Sequence, residues 1–256
     1  MDFFVISDLH GDATAFQELI KHWNQEKEKL VFIGDLGSRG PSSLALMEIA
    51  MELVKEGKAI WIRGNHEVML DEFLYEPQIY KSYLSDFVGG METMKSFVTR
   101  LLNKYTEKEL GDLDNLVKII NEEHKELIDF ISELPYIHVQ DELMFVHAAI
   151  DCNVDKINEL NKSTLVWGDV NFYEGKKHKF PHTVIFGHMP TQNLGANGGV
   201  FVSNCKKKIG IDGGGFLKEK SASVIAIKIN SKKVKKAKVY RYYTNENRLE
   251  IYKERI

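Results

Sequence analysis

The stretch 3-FFVISDLHG-11 is decisive for the fold, because a short buried strand ends there in polar residues that can carry chemistry. Its first four residues are Phe, Val and Ile, which favour a buried strand. The same pattern recurs in 30-LVFIGDLGSRG-40 and 59-AIWIRGNHE-67. Apolar residues at helical spacing lie between these stretches, over residues 12–23 and 41–57. This strand-helix-strand-helix-strand order predicts a mainly parallel sheet covered by helices.

The rest of the chain has a different character. Residues 68–135 hold 7 Lys+Arg and 14 Asp+Glu, are interrupted by Gly89-Gly90 and end at Pro135. Their pattern predicts a helical insertion beside the sheet, within a single domain spanning 1–256. Closely spaced apolar runs then return and predict strands in antiparallel pairs; they cover residues 137–139, 143–147, 183–188, 199–203, 208–212, 222–229 and 234–243.

Composition excludes several classes of protein. The 256 residues are 43% hydrophobic and 28% charged, which is unlike a disordered chain. No apolar run approaches the roughly 18 residues of a membrane span, and the acidic start does not resemble a secretory signal. The two cysteines, Cys152 and Cys205, are too few for a disulfide framework. We therefore expect a cytoplasmic protein without a membrane contact.

The charge is distributed unevenly. The net charge is −3, but residues 176–256 hold 18 Lys+Arg and 5 Asp+Glu. This basic third could meet an anionic partner. Alternatively, 228-KINSKKVKKAKVYRYY-243 is an antiparallel hairpin whose lysines face water. The second interpretation is favoured because edge strands commonly carry lysine.

Polar residues gather where the predicted strands end. Ligands of open α/β sheets bind beyond the carboxyl ends of strands, so five such ends converging on Asp, Asn and His predict a site. Oxygen and imidazole ligands suit manganese, iron or zinc, and a shared carboxylate can bridge two cations. The residues concerned are Asp8, His10, Asp35, Asn65, His66, His147 and His188.

The order and spacing of these residues carry a family resemblance. The chain contains Asp8-x-His10, Gly34-Asp35-x-x-x-Arg39-Gly40, Gly64-Asn65-His66-Glu67, His147 and Gly187-His188. This set resembles the phosphoprotein phosphatases of the calcineurin-like superfamily. Segments 89-GGMETMKSF-97, 164-TLVWG-168 and 209-IGIDGGG-215 are similar to segments of the bacterial members. The resemblance implies an α/β fold, a metallophosphoesterase β-sandwich of two mixed sheets flanked by helices.

The resemblance also implies a role for each residue. Arg39 and Asn65 would bind the substrate phosphate, and His66 would be the general acid. A hydroxide that bridges the metals would attack phosphorus in line. Two divalent ions, with manganese favoured over iron, zinc or nickel, would be held by Asp8, His10, Asp35, Asn65, His147 and His188. Arg63 and Asp212 would support the site without touching substrate.

Two positions depart from the family pattern. Ser38 stands where many members have an Asp that pairs with the general-acid histidine. Phosphatases of the symmetrical dinucleoside tetraphosphatase type also lack that Asp. Asp169 stands where bacterial relatives often have a second phosphate-binding Arg. Either Lys176 or Lys177 takes over that task, or phosphate binding depends on Arg39 and the metals.

Three hypotheses of function follow. The first is a two-metal phosphoester hydrolase of the Ser/Thr protein phosphatase type, acting on a phosphorylated protein or peptide. The alternative is a symmetrical bis(5'-nucleosyl)-tetraphosphatase, acting on a nucleotide polyphosphate or an RNA cap; Ser38 and the basic third favour it. The third is a binding module without turnover, against which the complete ligand set argues. No sequence feature indicates an obligate protein partner.

Overall fold

The computed structural model describes residues 1–256 and contains eleven strands and nine α-helices. The strands are β1 (Asp2–Ile6), β2 (Glu28–Phe32), β3 (Ala59–Trp61), β4 (Ile137–Gln140), β5 (Leu143–Val146), β6 (Thr183–Phe186), β7 (Phe201–Val202), β8 (Lys208–Gly210), β9 (Ser223–Asn230), β10 (Lys236–Tyr243) and β11 (Arg248–Arg255). The helices are α1 (Ala13–Ile20), α2 (Ser43–Lys55), α3 (Asn65–Tyr75), α4 (Gly90–Leu101), α5 (Glu107–Leu110), α6 (Leu113–Glu123), α7 (Lys125–Ser132), α8 (Lys162–Trp167) and α9 (Val170–Tyr173).

The strands form two mixed sheets, as expected. One sheet has the order β11-β10-β9-β1-β2-β3, and the other has the order β4-β5-β6-β8-β7. β1, β2 and β3 pair in parallel, so their carboxyl ends lie at one edge. β5 and β6 are also parallel. Each sheet therefore presents the ends of parallel strands to the candidate site.

Alternation along β1 explains how the two layers are held together. Phe4 and Ile6 pack towards the helices, in a core of 36 buried residues. Phe3 and Val5 point to the other face, in a core of 16 buried residues that joins the sheets. There the rings of Phe3 and Phe145 lie 5.1 Å apart. Both faces of β1 are thus buried, which is why the strand reads as a continuous apolar run.

The region between β3 and β4 is helical, as the sequence predicts. It contains α3 to α7, and Pro135 lies beyond the end of the last of them. The helical region begins earlier than expected, at Asn65, so Asn65 and His66 lie in the first turn of α3 and not in a loop. The single-domain description of the chain stays a prediction.

The expected antiparallel pairing after residue 137 is only partly correct. β4–β5, β9–β10 and β10–β11 are antiparallel, whereas β5–β6 and β6–β8 are parallel. The parallel pairs arise because long connections, one containing α8 and α9, return the chain to the same edge. Short strand spacing alone did not reveal those crossovers, and the sequence analysis also missed β11.

The basic C-terminal third forms an exposed sheet edge. β9 and β10 are an antiparallel hairpin, and β11 is the edge strand. Lys236 and Lys238 are exposed while their neighbours Ala237 and Val239 are buried. This alternation matches the hairpin interpretation of the lysines. None of the helices is long and apolar enough to cross a membrane.

Candidate metal centre

The predicted residues converge on the cleft where the strand ends of the two sheets meet. Ligand atoms of His10, Asp35 and His66 lie within 4.8 Å of one another, and so do those of Asp35, His147 and His188. Asp35 belongs to both groups. A carboxylate shared by two clusters is the arrangement that a bridged pair of cations requires. These groups come from the ends of five strands, which are far apart in sequence.

Asp35 is the geometric centre of the site. Its Oδ2 lies 3.8 Å from Nε2 of His10 and 3.8 Å from Nε2 of His66. Its Oδ1 lies 3.4 Å from Nε2 of His147 and accepts a hydrogen bond from the backbone N–H of His66 at 3.0 Å. The carboxylate is 2% exposed. It can therefore face two cations without competition from bulk water.

Asn65, His147 and His188 form a second convergence that fits a cation. Nδ1 of His147 lies 2.7 Å from the carbonyl of Ile33, which can only accept, so Nδ1 must donate. Nε2 of the neutral ring then presents a lone pair to Asn65 Oδ1, 2.9 Å away. Nδ1 of His188 lies 2.9 Å from the same oxygen. An imidazole nitrogen and an amide oxygen at this distance can serve as two ligands of one cation.

Asp8 lies beside this group but in a different orientation. Its carboxylate accepts hydrogen bonds from Ser7 Oγ and from the backbone N–H of His188, the latter at 3.1 Å to both oxygens. The carboxylate oxygens of Asp8 therefore belong to neither of the two groups of ligand atoms that lie within 4.8 Å of one another. It is fully buried, and Asp212 and Asp35 are the charges that act on it.

Burial leaves the charges of the site unbalanced. Desolvation raises the pKa of Asp8 and Asp35 well above the usual range; the next cause is the charge of Asp212 for Asp8 and that of Glu67 for Asp35. Desolvation also raises the pKa of Asp212 to about 6. The same burial lowers the pKa of His10, His66 and His147 well below its usual value, and that of His188 to about 4. Arg39 is the positive charge that acts on Asp35 and Asp212, and divalent cations would supply further counter-charge for the buried carboxylates. The residues therefore fit a metal site.

The backbone around the site is strained. Ten residues other than glycine have a positive φ, and six of them are at the site. Strained backbone persists only where the surrounding structure enforces it, and it clusters at functional sites. The six are Asp8, His10, Asp35, Ser38, Arg39 and His188.

Two glycines permit the close approach of the loops. A Cβ built on Gly64 would lie 2.3 Å from Asp35 Oδ1, and one on Gly187 would lie 2.2 Å from Asp8 Oδ2. Any side chain at either position would displace a carboxylate of the site. The glycines that flank the motif residues are thus required by space.

Glu67 holds the two central loops together, a function that the sequence analysis missed. Its Oε2 accepts the backbone N–H groups of Asp35 and Gly64, both at 2.8 Å, and its Oε1 accepts that of Leu36 at 2.9 Å. The side chain is 1% exposed. Glu67 lies three residues after the Gly64 cap and accepts its N–H, as the glutamate of a capping box does, and this spacing was the available signal.

Arg39 enters the site from the loop after β2. Its Nη1 lies 2.6 Å from Nε2 of His10, and its guanidinium carbon lies 3.8 Å above the ring of Phe216. Phe216 also contacts the ring of His10 edge-on, with 5.2 Å between the ring centroids. The sequence analysis did not single out Phe216, because no motif marks it.

At the two positions that depart from the family pattern, the side chains contact other protein groups. Oγ of Ser38 lies 3.3 Å from the hydroxyl of Tyr83, whereas Nδ1 of His66 is buried without any hydrogen-bond partner. Asp169 caps α9 by accepting the N–H of Asn171 at 2.7 Å. Nζ of Lys176 donates to Asn153 at 2.7 Å.

Arg63 and Asp212 contact protein groups beside the site. Arg63 donates to the carbonyl of Ser132 at 2.6 Å and pairs with Asp71, so it links β3 to the helical region. Asp212 accepts the N–H of Gly214 at 2.8 Å. Both contacts match the supporting character expected of these residues.

The family model described as calcineurin-like phosphoesterase matches residues 1–225. The chain belongs to the calcineurin-like phosphoesterase family. It is accordingly a metal-dependent phosphatase, with the α/β fold of two mixed sheets that the resemblance implied.

Individual relatives show how far the similarity extends. The chain is 27% identical over 219 residues to the asymmetrical bis(5'-nucleosyl)-tetraphosphatase PrpE of Bacillus cereus strain Q1, covering 75% of this chain and 80% of that protein. A protein serine/threonine phosphatase of Saccharomyces cerevisiae has a similar structure, with a TM-score of 0.56 at 13% identity, covering 100% of this chain and 80% of the other. A metallophosphoesterase from Sphaerobacter thermophilus gives a TM-score of 0.52 at 12% identity, covering 94% and 88%.

Metal binding should stabilise the folded chain. Manganese added to EDTA-treated protein at about 100 times its Kd is expected to add about 2.7 kcal/mol, because it binds only the folded site. For a chain of this size, Tm should rise by roughly 5–10 °C in a thermal melt. His147→Ala should abolish the rise, since it removes a ring that faces Asn65. His182→Ala, which removes a histidine outside the site, should keep it; equal rises in both variants would contradict the metal assignment.

Proposed function

We propose that the chain hydrolyses dinucleoside polyphosphates with two bound divalent cations, manganese being favoured. Oxygen and imidazole donors of this kind suit manganese, iron or zinc. The cations would be held by Asp8, His10, Asp35, Asn65, His147 and His188. The two free cysteines support a reducing, cytoplasmic location.

Each side chain at the site has chemistry suited to this reaction. When bound, divalent cations lower the pKa of water and neutralise phosphate charge. Arg39 would hold phosphate oxygens through its planar guanidinium, next to Asn65. His66, whose Nε2 faces the site 3.8 Å from Asp35, would donate a proton to the leaving oxygen. Glu67 would keep the loops of Asp35 and Asn65 at a constant separation.

One observation carries the choice of a nucleotide substrate, namely that no carboxylate contacts Nδ1 of His66. Its Nδ1 is buried without a partner, and Ser38 bonds to Tyr83 instead. A carboxylate partner would stabilise the imidazolium and so favour proton donation. When a phosphoanhydride bond is cleaved, the leaving group is a nucleotide whose phosphate is a stable anion. It therefore needs proton donation less than the alkoxide that leaves from phosphoserine. The tetraphosphatase relatives support the same substrate class.

A phosphoserine or phosphothreonine peptide is the second candidate substrate. The observation that favours it is the orientation of His66, whose Nε2 faces the site where an alkoxide would leave. Nucleotide-capped RNA contains the same polyphosphate linkage as the first candidate and would meet the same residues. The basic edge formed by β10 and β11 is a surface that such an RNA could contact.

A paired assay tests the substrate class. Metal-stripped protein reloaded with manganese is given diadenosine tetraphosphate in one arm and a phosphoserine peptide in the other. We expect kcat/KM to be at least about tenfold higher for the dinucleotide, a difference of about 1.4 kcal/mol in the barrier. Product analysis then separates symmetrical cleavage into two diphosphates from asymmetrical cleavage into a mono- and a triphosphate. Faster turnover of the peptide would establish the second candidate.

The variant His66→Asn tests the leaving-group argument. General acid catalysis typically contributes about 10²–10⁴-fold, so turnover of a phosphoserine peptide should fall within that range. Turnover of the dinucleotide should fall less, by about tenfold, because its leaving group needs less protonation. Steady-state kcat for both substrates measures the difference. Equal losses would show that His66 acts in another way, such as by positioning the metals.

A further inference from the structure

An open cleft continues from the metal centre on the side of Arg39. It has a volume of about 910 Å³ and lies between the beginnings of α1 and α2, the segment 85–92 and the loop of Phe216. Cavities that bind small molecules typically measure about 300–1,000 Å³. The cleft shares His10 and Arg39 with the metal centre. A molecule whose phosphate lies against Arg39 would therefore extend into it.

Three large apolar side chains line this cleft although they are open to water. Phe87 is 88% exposed, Met91 is 42% exposed and Phe216 is 38% exposed. Single exposed apolar residues are ordinary on protein surfaces. Three exposed apolar side chains on one cleft beside the metal centre are a different case from single ones, because one flat apolar ligand could cover them together. Such a surface suits an aromatic base more than a hydrated sugar or a phosphate.

The turn that carries Phe87 and the ring of Phe216 are both tied to Arg39 before any ligand binds. Phe87 lies in a turn closed by a hydrogen bond from Gly89 N–H to the Ser85 carbonyl at 2.7 Å. That turn is fixed to the phosphate-binding loop, since the N–H of Arg39 donates to the Gly89 carbonyl at 2.8 Å. Phe216 is held beneath the guanidinium of Arg39. The backbone that carries Phe87 is thereby fixed relative to the phosphate site, so little ordering of the backbone is needed on binding.

We propose that this cleft binds one nucleoside of the substrate, with its base against Phe87 and Met91 and its adjacent phosphate on Arg39. The inference rests on the proposed function and adds to it the place where the nucleoside lies. Lys95 lines the same cleft and is paired with Glu92 at 2.6 Å on the surface of α4. Its ammonium group can exchange that exposed partner for a second phosphate at small cost.

The variant Phe87→Ala tests the proposal in manganese-loaded protein. Stacking of a base on an aromatic ring justifies an expected rise of about tenfold in KM for diadenosine tetraphosphate. The Ki of ADP as a competitive inhibitor should rise by the same factor of about ten, whereas the Ki of pyrophosphate should change by about twofold at most. Phe87→Trp retains an aromatic surface and should keep KM near the wild-type value. Phe87 is so exposed that neither variant disturbs the core.

Tyr75→Ala is the matched control. Tyr75 is also an exposed aromatic of the helical region, 81% exposed, but it does not line the cleft. Its replacement should leave both KM and Ki unchanged. If the wild type does not cleave the dinucleotide, the proposed function fails and this inference fails with it. If the wild type cleaves it and Phe87→Ala retains the wild-type KM and Ki of ADP, only the cleft assignment is overturned. A weakening seen only with a phosphoserine peptide would also overturn it.

Discussion

Replacing Asp35 with asparagine is expected to lower kcat by more than about 100-fold and to reduce the metal content of the protein. Loss of a residue that merely supports metal ligands costs about 10–100-fold, and Asp35 belongs to both groups of candidate ligands. The amide would place an N–H₂ group where a carboxylate oxygen lies within 4 Å of one imidazole (Oδ1) or two (Oδ2). Steady-state kinetics and elemental analysis of the purified variant measure the two effects.

Asp112→Asn provides the control for this substitution. Asp112 caps α6 by accepting the N–H of Asn115 at 2.9 Å, far from the site in the fold, and asparagine caps a helix equally well. It makes the same chemical change without touching the metal centre, so activity should be retained. An Asp35→Asn protein with wild-type kcat and metal content would show that the metals, if bound, are held elsewhere.

Replacing Glu67 with glutamine is expected to destabilise the protein by about 2–3 kcal/mol and to lower kcat by about 10–100-fold. The carboxylate accepts three backbone N–H groups in a buried position. The amide of glutamine can accept with only one atom, so at least one buried N–H loses its partner. The loops of Asp35 and Asn65 would then lose their constant separation. Urea unfolding gives the free energy, and kcat with a saturating substrate gives the activity.

The chain contains a matched control for Glu67. Glu109 makes the same bond to a cap residue at the start of α5, where its side chain accepts the N–H of Thr106 at 2.8 Å, but it is exposed. Glu109→Gln should cost about 0.5 kcal/mol or less and leave kcat unchanged, because water replaces the lost contact. Equal effects in the two variants would show that Glu67 acts only as a helix cap and not as a link between the loops.

Much of the candidate site can be predicted from the sequence because its residues directly follow strands. Asp8, Asp35 and Asn65 each come within a few residues of a short apolar run, and the carboxyl ends of parallel strands lie at one edge. The type and order of the ligands were therefore predictable. Glu67 belongs to the same motif, but the motif did not predict that its carboxylate links the loop after β2 to the start of α3. Its bonds to Asp35 and Leu36 join residues 32 and 31 apart, across the whole β2-α2-β3 unit, a relation that local spacing does not encode.

What the sequence by itself determined is the set of strands and helices in the first third and the gathering of candidate ligands at strand ends, whereas the two-sheet fold was implied by the family resemblance. These depend on apolar periodicity and on residues adjacent in the chain. Only the tertiary structure decided that β5, β6 and β8 are parallel, that Ser38 bonds to Tyr83 and that Phe87 and Phe216 line one cleft beside Arg39. The physical reason is that those contacts join residues far apart in the chain, from 24 residues between Val184 and Lys208 to 177 residues between Arg39 and Phe216. They arise from the packing of the helical region and the C-terminal loops against the sheets, which no local pattern records.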